Sequence, residues 1–319
     1  MSTPDLMRRA VCWLPLLAGL PVRAQAPIAV SLGTATPGGG FPVYGDAVAR
    51  TVHRIDAGLQ VQTRHTKGST ENVPLLEAGQ LDLGLVQGEA VHEALAGIGR
   101  APAQLSVVAA MYSTAGMFVV RADSPYRSIS DLQGQRIAFG AKGSGLVILA
   151  RYVLDGLGLD ADKDFQAVYL DRAGDGPAML ADGRVAALWG GGSQWPGFVA
   201  ATGSPGGGRF IVPSEQEIER ILARHAFLKR QTLAAGSYPG QAQALESVGS
   251  WSFILARPTL DAEIAYRFTR ALHLGEQALA RELPQASETR AVNTARHVPQ
   301  PALLHPGTRR YLQEIGAIK

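Results

Sequence analysis

One pattern recurs along this chain and narrows its possible folds sharply: an apolar strand, a loop of glycine and small polar residues, then a helix. Ile28-Ala29-Val30-Ser31-Leu32-Gly33 runs into Thr34-Ala35-Thr36-Pro37-Gly38-Gly39-Gly40-Phe41, and Val48, Val52 and Ile55 then form one stripe of a helix predicted over Tyr44 to Ile55. The strand Leu59 to Thr63 follows, alternating apolar and polar. The polar turn Thr66 to Asn72 opens a short helical pattern with Val73, Leu75, Leu76 and Ala78 apolar and Gly79 at C′. Leu81 to Val86 then reads as a buried strand ending in Gln87-Gly88-Glu89. Pro74 conflicts with a helix capped at Ser69, and a cap nearer Asn72 would remove the conflict.

The same order returns downstream. Val107 to Met111 and Met117 to Arg121 read as two strands separated by Tyr112 to Gly116. A capped turn at Ile129 to Gly134, a strand at Arg136 to Gly140 and the loop Ala141-Lys142-Gly143-Ser144-Gly145 lead into a helix carrying Leu146, Leu149 and Val153. Strand Ala186 to Trp189 ends in the glycine loop Gly190 to Pro196, with Trp195 at its far end. Later, Val248 to Ala256 is a predicted strand and Asp261 to Ala280 a single helix. Repeated β-α-β passes predict α/β architecture with a parallel or mixed sheet, and 319 residues suit two α/β lobes better than one. Each lobe presents a helix N-terminus.

Lys and Arg total 30 against 27 Asp and Glu, and no run of basic residues forms a patch, so nucleic acid is not an expected partner. The N-terminus stands apart. Arg8 and Arg9 precede the apolar run Ala10 to Leu20 and the small residues before Ala24. A run this short is a signal peptide rather than a membrane anchor, which assigns residues 1–24 to the signal and the mature chain to the periplasm. Cys12, the only cysteine, falls inside it, leaving the mature chain without disulfide or thiolate ligand.

Catalytic readings find little support. Seven histidines stand at no metal-ligand spacing, and Ser144 lacks the GxSxG context of a nucleophile elbow. No metal, cofactor or enzymatic role is expected. Binding chemistry fits better. Ser69 to Asn72 and Gly143-Ser144-Gly145 each precede a helix, offering unpaired N–H groups and a partial positive charge to an anion. Ser69, Asn72 and Ser144 would add side-chain donors, with Thr34, Thr36 and Gln87 completing the ring. Lys67 and Lys142 are possible charge partners, and Trp195 either covers the ligand or packs a core. Each serine reads equally well as a plain helix cap.

With these residues in view, the chain resembles the TAXI family of extracytoplasmic solute receptors, which serve TRAP-type transporters. The similarity rests on Gly33-Thr34-Ala35-Thr36-Pro37-Gly38-Gly39, Thr66 to Asn72 with Leu76-Glu77-Ala78-Gly79, and Asp82 to Gln87. It continues through Asp131 to Ile137, Gly140 to Gly145, Ser237-Tyr238-Pro239-Gly240-Gln241 and His305-Pro306-Gly307. Gly40 and Phe41 stand where the family tends to carry Thr and Tyr, Leu146 replaces a usual Thr, and Glu89 occupies a position often held by Asp. The resemblance implies a type II periplasmic binding protein fold, two α/β lobes with a ligand cleft between them. It also implies a small anionic organic ligand, a carboxylate or an amino acid such as glutamate, delivered to a TRAP-type membrane permease. The expected lobes are residues 27–112 with 247–319, and 113–246, crossing near Ala109 to Gly116 and Ala244 to Ser250 in a monomer. A sensor presenting its ligand to a membrane protein, or a periplasmic enzyme using the same cleft, remain the alternatives.

Overall fold

Residues 26–319 are described by the computed structural model, so the predicted signal of residues 1–24 lies outside them. Strand β1 (Ile28–Gly33) lies between β2 (Leu59–Arg64) and β3 (Leu83–Val86), parallel to both. All four residues of β3 are buried, as a parallel strand covered on both faces must be. Helix α1 (Gly40–Ile55) packs Tyr44, Val48 and Val52 against one face with Val30, Leu32 and Leu85. Helices α2 (Ser69–Glu77) and α3 (Gly88–Ala96) cover the other with Val73, Leu76, Val91 and Ala94. Each such fully buried Val or Leu contributes about 1.5–3 kcal/mol.

Three local readings change here. Helix α1 begins at Gly40 rather than Tyr44, because Pro42 falls in the first turn, where a missing N–H leaves no bond unmade. Helix α2 begins at Ser69 with Pro74 inside it, and the residue before it is Gly68, at φ 112°, with no side-chain cap. Asn72 is therefore no cap. It is fully buried, and its amide donates to the carbonyls of Thr34 and Leu85 at 2.8 Å and of Gly33 at 3.3 Å. The polar cluster after β3 is the first turn of α3.

The two strands predicted around Tyr112 to Gly116 are one, β4 (Ser106–Arg121). Its Ser, Thr and Gly residues resemble a turn in sequence, but their backbone is paired with β10 (Leu245–Ala256), antiparallel, from Ser106 to Ala115. Beyond Gly116, β4 changes partners to β7 (Ala187–Gly191) and β8 (Gly208–Ile211), both antiparallel. Strands β5 (Arg136–Ala141) and β6 (Gln166–Leu170) extend this half in parallel with β7, and β9 (Lys229–Leu233) pairs with the start of β10. The path runs β2-β1-β3-β10-β4-β7-β5-β6, with β4 and β10 alone shared between the halves. Four apolar cores result, one on each face of each half.

Helices α4 (Gly145–Gly156), α5 (Gly176–Ala181), α6 (Pro196–Gly203) and α7 (Glu215–Arg224) cover the second half. The sequence reading missed α3, β6, α6 and β9 among these elements. The predicted helix Asp261 to Ala280 is two, α8 (Ala262–Leu274) and α9 (Glu276–Glu282), broken at Gly275; Asp261 caps the first through Glu263 N–H at 2.8 Å. Helices α10 (Ala291–His297) and α11 (Pro306–Glu314) return to the first half. His305 caps α11 by accepting from Gly307 N–H and lies 3.2 Å from the Leu260 carbonyl, which accounts for His305-Pro306-Gly307.

Candidate functional site

Between the halves lies a cavity of about 660 Å3, its open mouth included. Its walls come from the loops and helix starts that the strand-loop-helix pattern predicted. From the first half come Thr36, Gly40, Phe41, Lys67, Gly68, Ser69 and Gln87, and from the second Ser144, Gly145, Ala173 and Trp195. The floor is the crossing strand β4, through Tyr112 and Thr114.

Glycine explains how the walls approach so closely. Thr70 N–H and Oγ1 reach across to the Gly143 carbonyl at 3.1 and 3.0 Å. Ala173 N–H donates to Thr36 Oγ1 at 3.2 Å, and Gly174 N–H to the Pro37 carbonyl at 3.3 Å. A Cβ on Gly145 would lie 2.4 Å from Gln87 Cβ and 2.8 Å from Ser69 Oγ. The glycines thus let backbone meet backbone across the cavity, a closed arrangement.

Of the predicted ligand residues, Thr36, Ser69, Gln87, Ser144, Gly145 and Trp195 line the cavity, while Thr34, Asn72 and Gly143 do not. Thr34 is fully buried; its hydroxyl donates to the Arg64 carbonyl at 3.1 Å, and its own carbonyl accepts from Asn72 and Thr66. Asn72 is spent on backbone carbonyls, as above. Gly143 serves the clasp through its carbonyl.

Both serines line the cavity, and each hydroxyl also accepts from the backbone: Ser144 as the cap of α4, Ser69 as a tie between the start of α2 and the end of β3. Ser69 Oγ accepts from Gln87 N–H at 3.1 Å, and Ser144 Oγ from Leu146 N–H at 3.2 Å. A hydroxyl has one proton and two lone pairs, so accepting from the backbone leaves the proton free for a ligand. The N–H groups of Gly40, Ser69 and Gly145, each the first residue of a helix, have no intrahelical acceptor. Trp195 also combines both readings. Buried to 5% exposure and edge-on to Phe198 at 4.9 Å, it presents Cδ1 3.2 Å from where a Cβ on Gly40 would sit.

Sequence reasoning missed Tyr112, Thr114 and Gln285. The first two are an i, i+2 pair on a strand face, a signal hidden by reading that stretch as a turn. Gln285 sits in a short 3-10 turn at Pro284–Glu288 and reaches Gly40, where a Cβ would lie 3.1 Å from its Nε2; no local pattern marks it. Burial, with Tyr44 beside it, pushes the Tyr112 phenol well above its ordinary range, so it stays a neutral hydroxyl. Among the described residues, Lys67 is the one charged side chain on the walls, and none of them brings a carboxylate. Lys142 instead lies 3.5 Å from exposed Asp171. Tyr238 ties the glycine loop of residues 190–196, donating to the Gly192 carbonyl at 2.7 Å and accepting from Trp195 N–H at 2.8 Å.

Two α/β halves joined by crossing strands around a cavity are the architecture of periplasmic solute-binding proteins. The alkanesulfonate-binding protein SsuA of Xanthomonas axonopodis pv. citri, bound to MOPS, shares it at TM-score 0.50 and 20% identity, over 91% of this chain and 85% of that one. A Bordetella bronchiseptica RB50 structure aligns at TM-score 0.58 and 15% identity, covering 90% and 98%. PhnD1 of Prochlorococcus marinus, in complex with methylphosphonate, aligns at 0.52 and 12%, covering 91% and 99%. The chain belongs to the NMT1-like family, whose pattern matches residues 32–316.

Proposed function

We propose that the chain is an extracytoplasmic solute-binding receptor that captures a small organic anion, a carboxylate or an amino acid such as glutamate, and hands it to a membrane permease. One observation carries the reading. Helix starts from both halves, at Gly40, Ser69 and Gly145, converge on a cavity whose only charged wall residue among those described is Lys67. Helix N-termini and free N–H groups attract anions, and an anion held from both sides favours the closed form over the open one. The SsuA structure bound to MOPS and the PhnD1 complex with methylphosphonate support an oxyanion as the ligand class. The moving bodies are residues 27–112 with 247–319, and 113–246, hinged where β4 and β10 cross. The resemblance to the TAXI family supports a TRAP-type permease as the recipient, and the signal peptide expected over residues 1–24 supports a periplasmic location for a receptor proposed to act as a monomer.

The test begins with mass spectrometry of the small molecule released on denaturing the purified protein. Calorimetry with that molecule on Ser69→Ala and Ser144→Ala then measures the hydroxyls. Loss of a hydrogen bond to a charged ligand removes about 1.5–3 kcal/mol, or about 10–150-fold in affinity. Unchanged affinity in both variants, with lowered melting temperatures, reduces the serines to structural acceptors and refutes the site.

A further inference from the structure

Behind the cavity wall lies a group of polar atoms that anion binding, as described so far, leaves unused. Glu89, the second residue of α3, is fully buried, and neither carboxylate oxygen has a hydrogen-bond partner. Gln87 Nε2 and Ser250 Oγ are buried without partners as well. Taking a carboxylate out of water with no cation against it favours its neutral form. Burial pushes Glu89 up to about 7; Ser250 and Gln87 lie near enough to hold it back in part, though neither makes a well-formed bond, and Glu93 adds to the rise.

Gln87 connects this group to the cavity. It is part of the wall, with its Oε1 3.1 Å from where a Cβ on Gly145 would sit across the gap. An amide has a donor end and an acceptor end, so whatever faces Glu89 determines what faces the cavity. Beside an ionised Glu89, the NH2 turns to the carboxylate and the cavity receives a carbonyl oxygen, which repels an oxyanion. Beside a protonated Glu89, the carboxylic O–H donates to the amide oxygen and the turned amide offers its NH2 to the ligand. We propose that Glu89 is a positioning residue that couples oxyanion binding in this cavity to the uptake of one proton from solvent, acting through the orientation of Gln87. This rests on the anion-binding reading above.

The charged surroundings leave Glu89 as the group that responds near neutrality. Glu93, one turn on, is engaged by Arg151 and by the Tyr152 hydroxyl at 3.0 Å. The groove on the far side of α3 and β10 is lined by His92, Lys229, Arg296 and His297. Both histidines are lowered by burial and stack on Phe227 and Trp251, so they are neutral at pH 7 and above. On the cavity side the charged residue is Lys67. A bound oxyanion then raises the Glu89 pKa further. Affinity is greatest below the free-state value and falls by up to about tenfold per unit as pH rises toward the bound-state value.

The experiment is titration calorimetry of the mature chain, stripped of ligand, with succinate, L-glutamate and methylphosphonate as probes. Runs at about pH 6 to 8.5, in cationic buffers of different ionisation enthalpy, count the protons taken up. Wild type should take up about half to one proton per bound oxyanion near pH 7.5, with affinity falling about tenfold or more across the range. Glu89→Gln should remove both the uptake and the slope. In ligand-free wild type, the Glu89 carboxyl 13C signal, assigned by its loss in Glu89→Gln, should titrate near neutrality. Binding without uptake, uptake retained in Glu89→Gln, or a carboxyl titrating in the ordinary acid range each overturns the proposal alone. Affinity rising with pH also overturns it, since an ionised Glu89 would then be backing a cation. Failure of every probe to bind refutes the anion-binding reading, and the coupling with it.

Discussion

Replacing Gly145 by alanine separates closure of the two halves from their stability. The added Cβ would lie 2.4 Å from Gln87 Cβ, 2.8 Å from Ser69 Oγ and 3.1 Å from Gln87 Oε1. All three atoms belong to the opposite wall. Comfortable contact is about 3.5–4.0 Å, so the nearest pair overlaps by about 1–1.5 Å. Neither of the two nearest atoms yields easily, because one is a Cβ fixed to the backbone and the other holds Gln87 N–H at 3.1 Å. Overpacking of this kind costs about 1–3 kcal/mol, and only when the walls meet. In the open form alanine suits the first turn of α4 at least as well as glycine, by up to about 1 kcal/mol. The expected result is a 5–150-fold loss of affinity, about what 1–3 kcal/mol is worth, with the ligand-free melting temperature unchanged or slightly raised. Calorimetry measures the affinity, and small-angle scattering with saturating ligand shows whether compaction is reduced. A Gly145→Ala protein that binds and compacts like wild type refutes the reasoning. So does one whose melting temperature falls in proportion to its affinity.

Asn72→Ala should behave in the opposite way, because it strips a donor from the carbonyls of Gly33, Thr34 and Leu85. A stability loss of about 2–3 kcal/mol in denaturant unfolding is expected; lost affinity with an unchanged midpoint would return Asn72 to the ligand. Glu89, raised from 4.5 to about 7, gives stability that is full below pH 4.5 and lost as pH rises toward 7. Glu89→Gln should therefore raise the melting temperature at pH 8 and not at pH 4.5, and equal shifts at both would contradict a neutral buried carboxyl. Burial lowers His273 from 6.5 to about 3, so its share of stability is full above pH 6.5 and is lost as pH falls toward 3. That slope is up to about 1.4 kcal/mol per unit, and His273→Gln should flatten acid unfolding there; an identical slope refutes the assignment.

The α/β alternation was legible because β1, β3 and β5 are apolar runs bounded by glycine, and period and punctuation agree. The glycine loops were legible as a site for the same reason, although their glycines serve contact between walls as much as contact with a ligand. Strand β4 was not legible as one element. Tyr112 to Gly116 carries turn-like residues, and only pairing with Gly249 to Trp251, more than a hundred residues away, makes it strand. Asn72 shows the limit for side chains: its position beside a helix start fits a ligand donor, and its three carbonyl partners come from the end of β1, the residue after it and β3, which local sequence cannot place beside it. Gln285 reaches the cavity from a turn with no periodicity at all.

The strand order has a consequence for how the chain acquires this structure. Strand β10 lies between β3 and β4, with Phe253 opposite Val86 and Ala110, so a strand made late completes a sheet begun early. Until residue 256 is available, β3 and β4 each keep an unpaired edge facing the gap. Pairings of such long sequence separation form slowly, and open edges meanwhile invite association with other chains. The first half therefore cannot finish folding ahead of the second. A chain shortened before β10 should aggregate rather than yield a stable half, and assembly of the whole should be limited by insertion of that one strand.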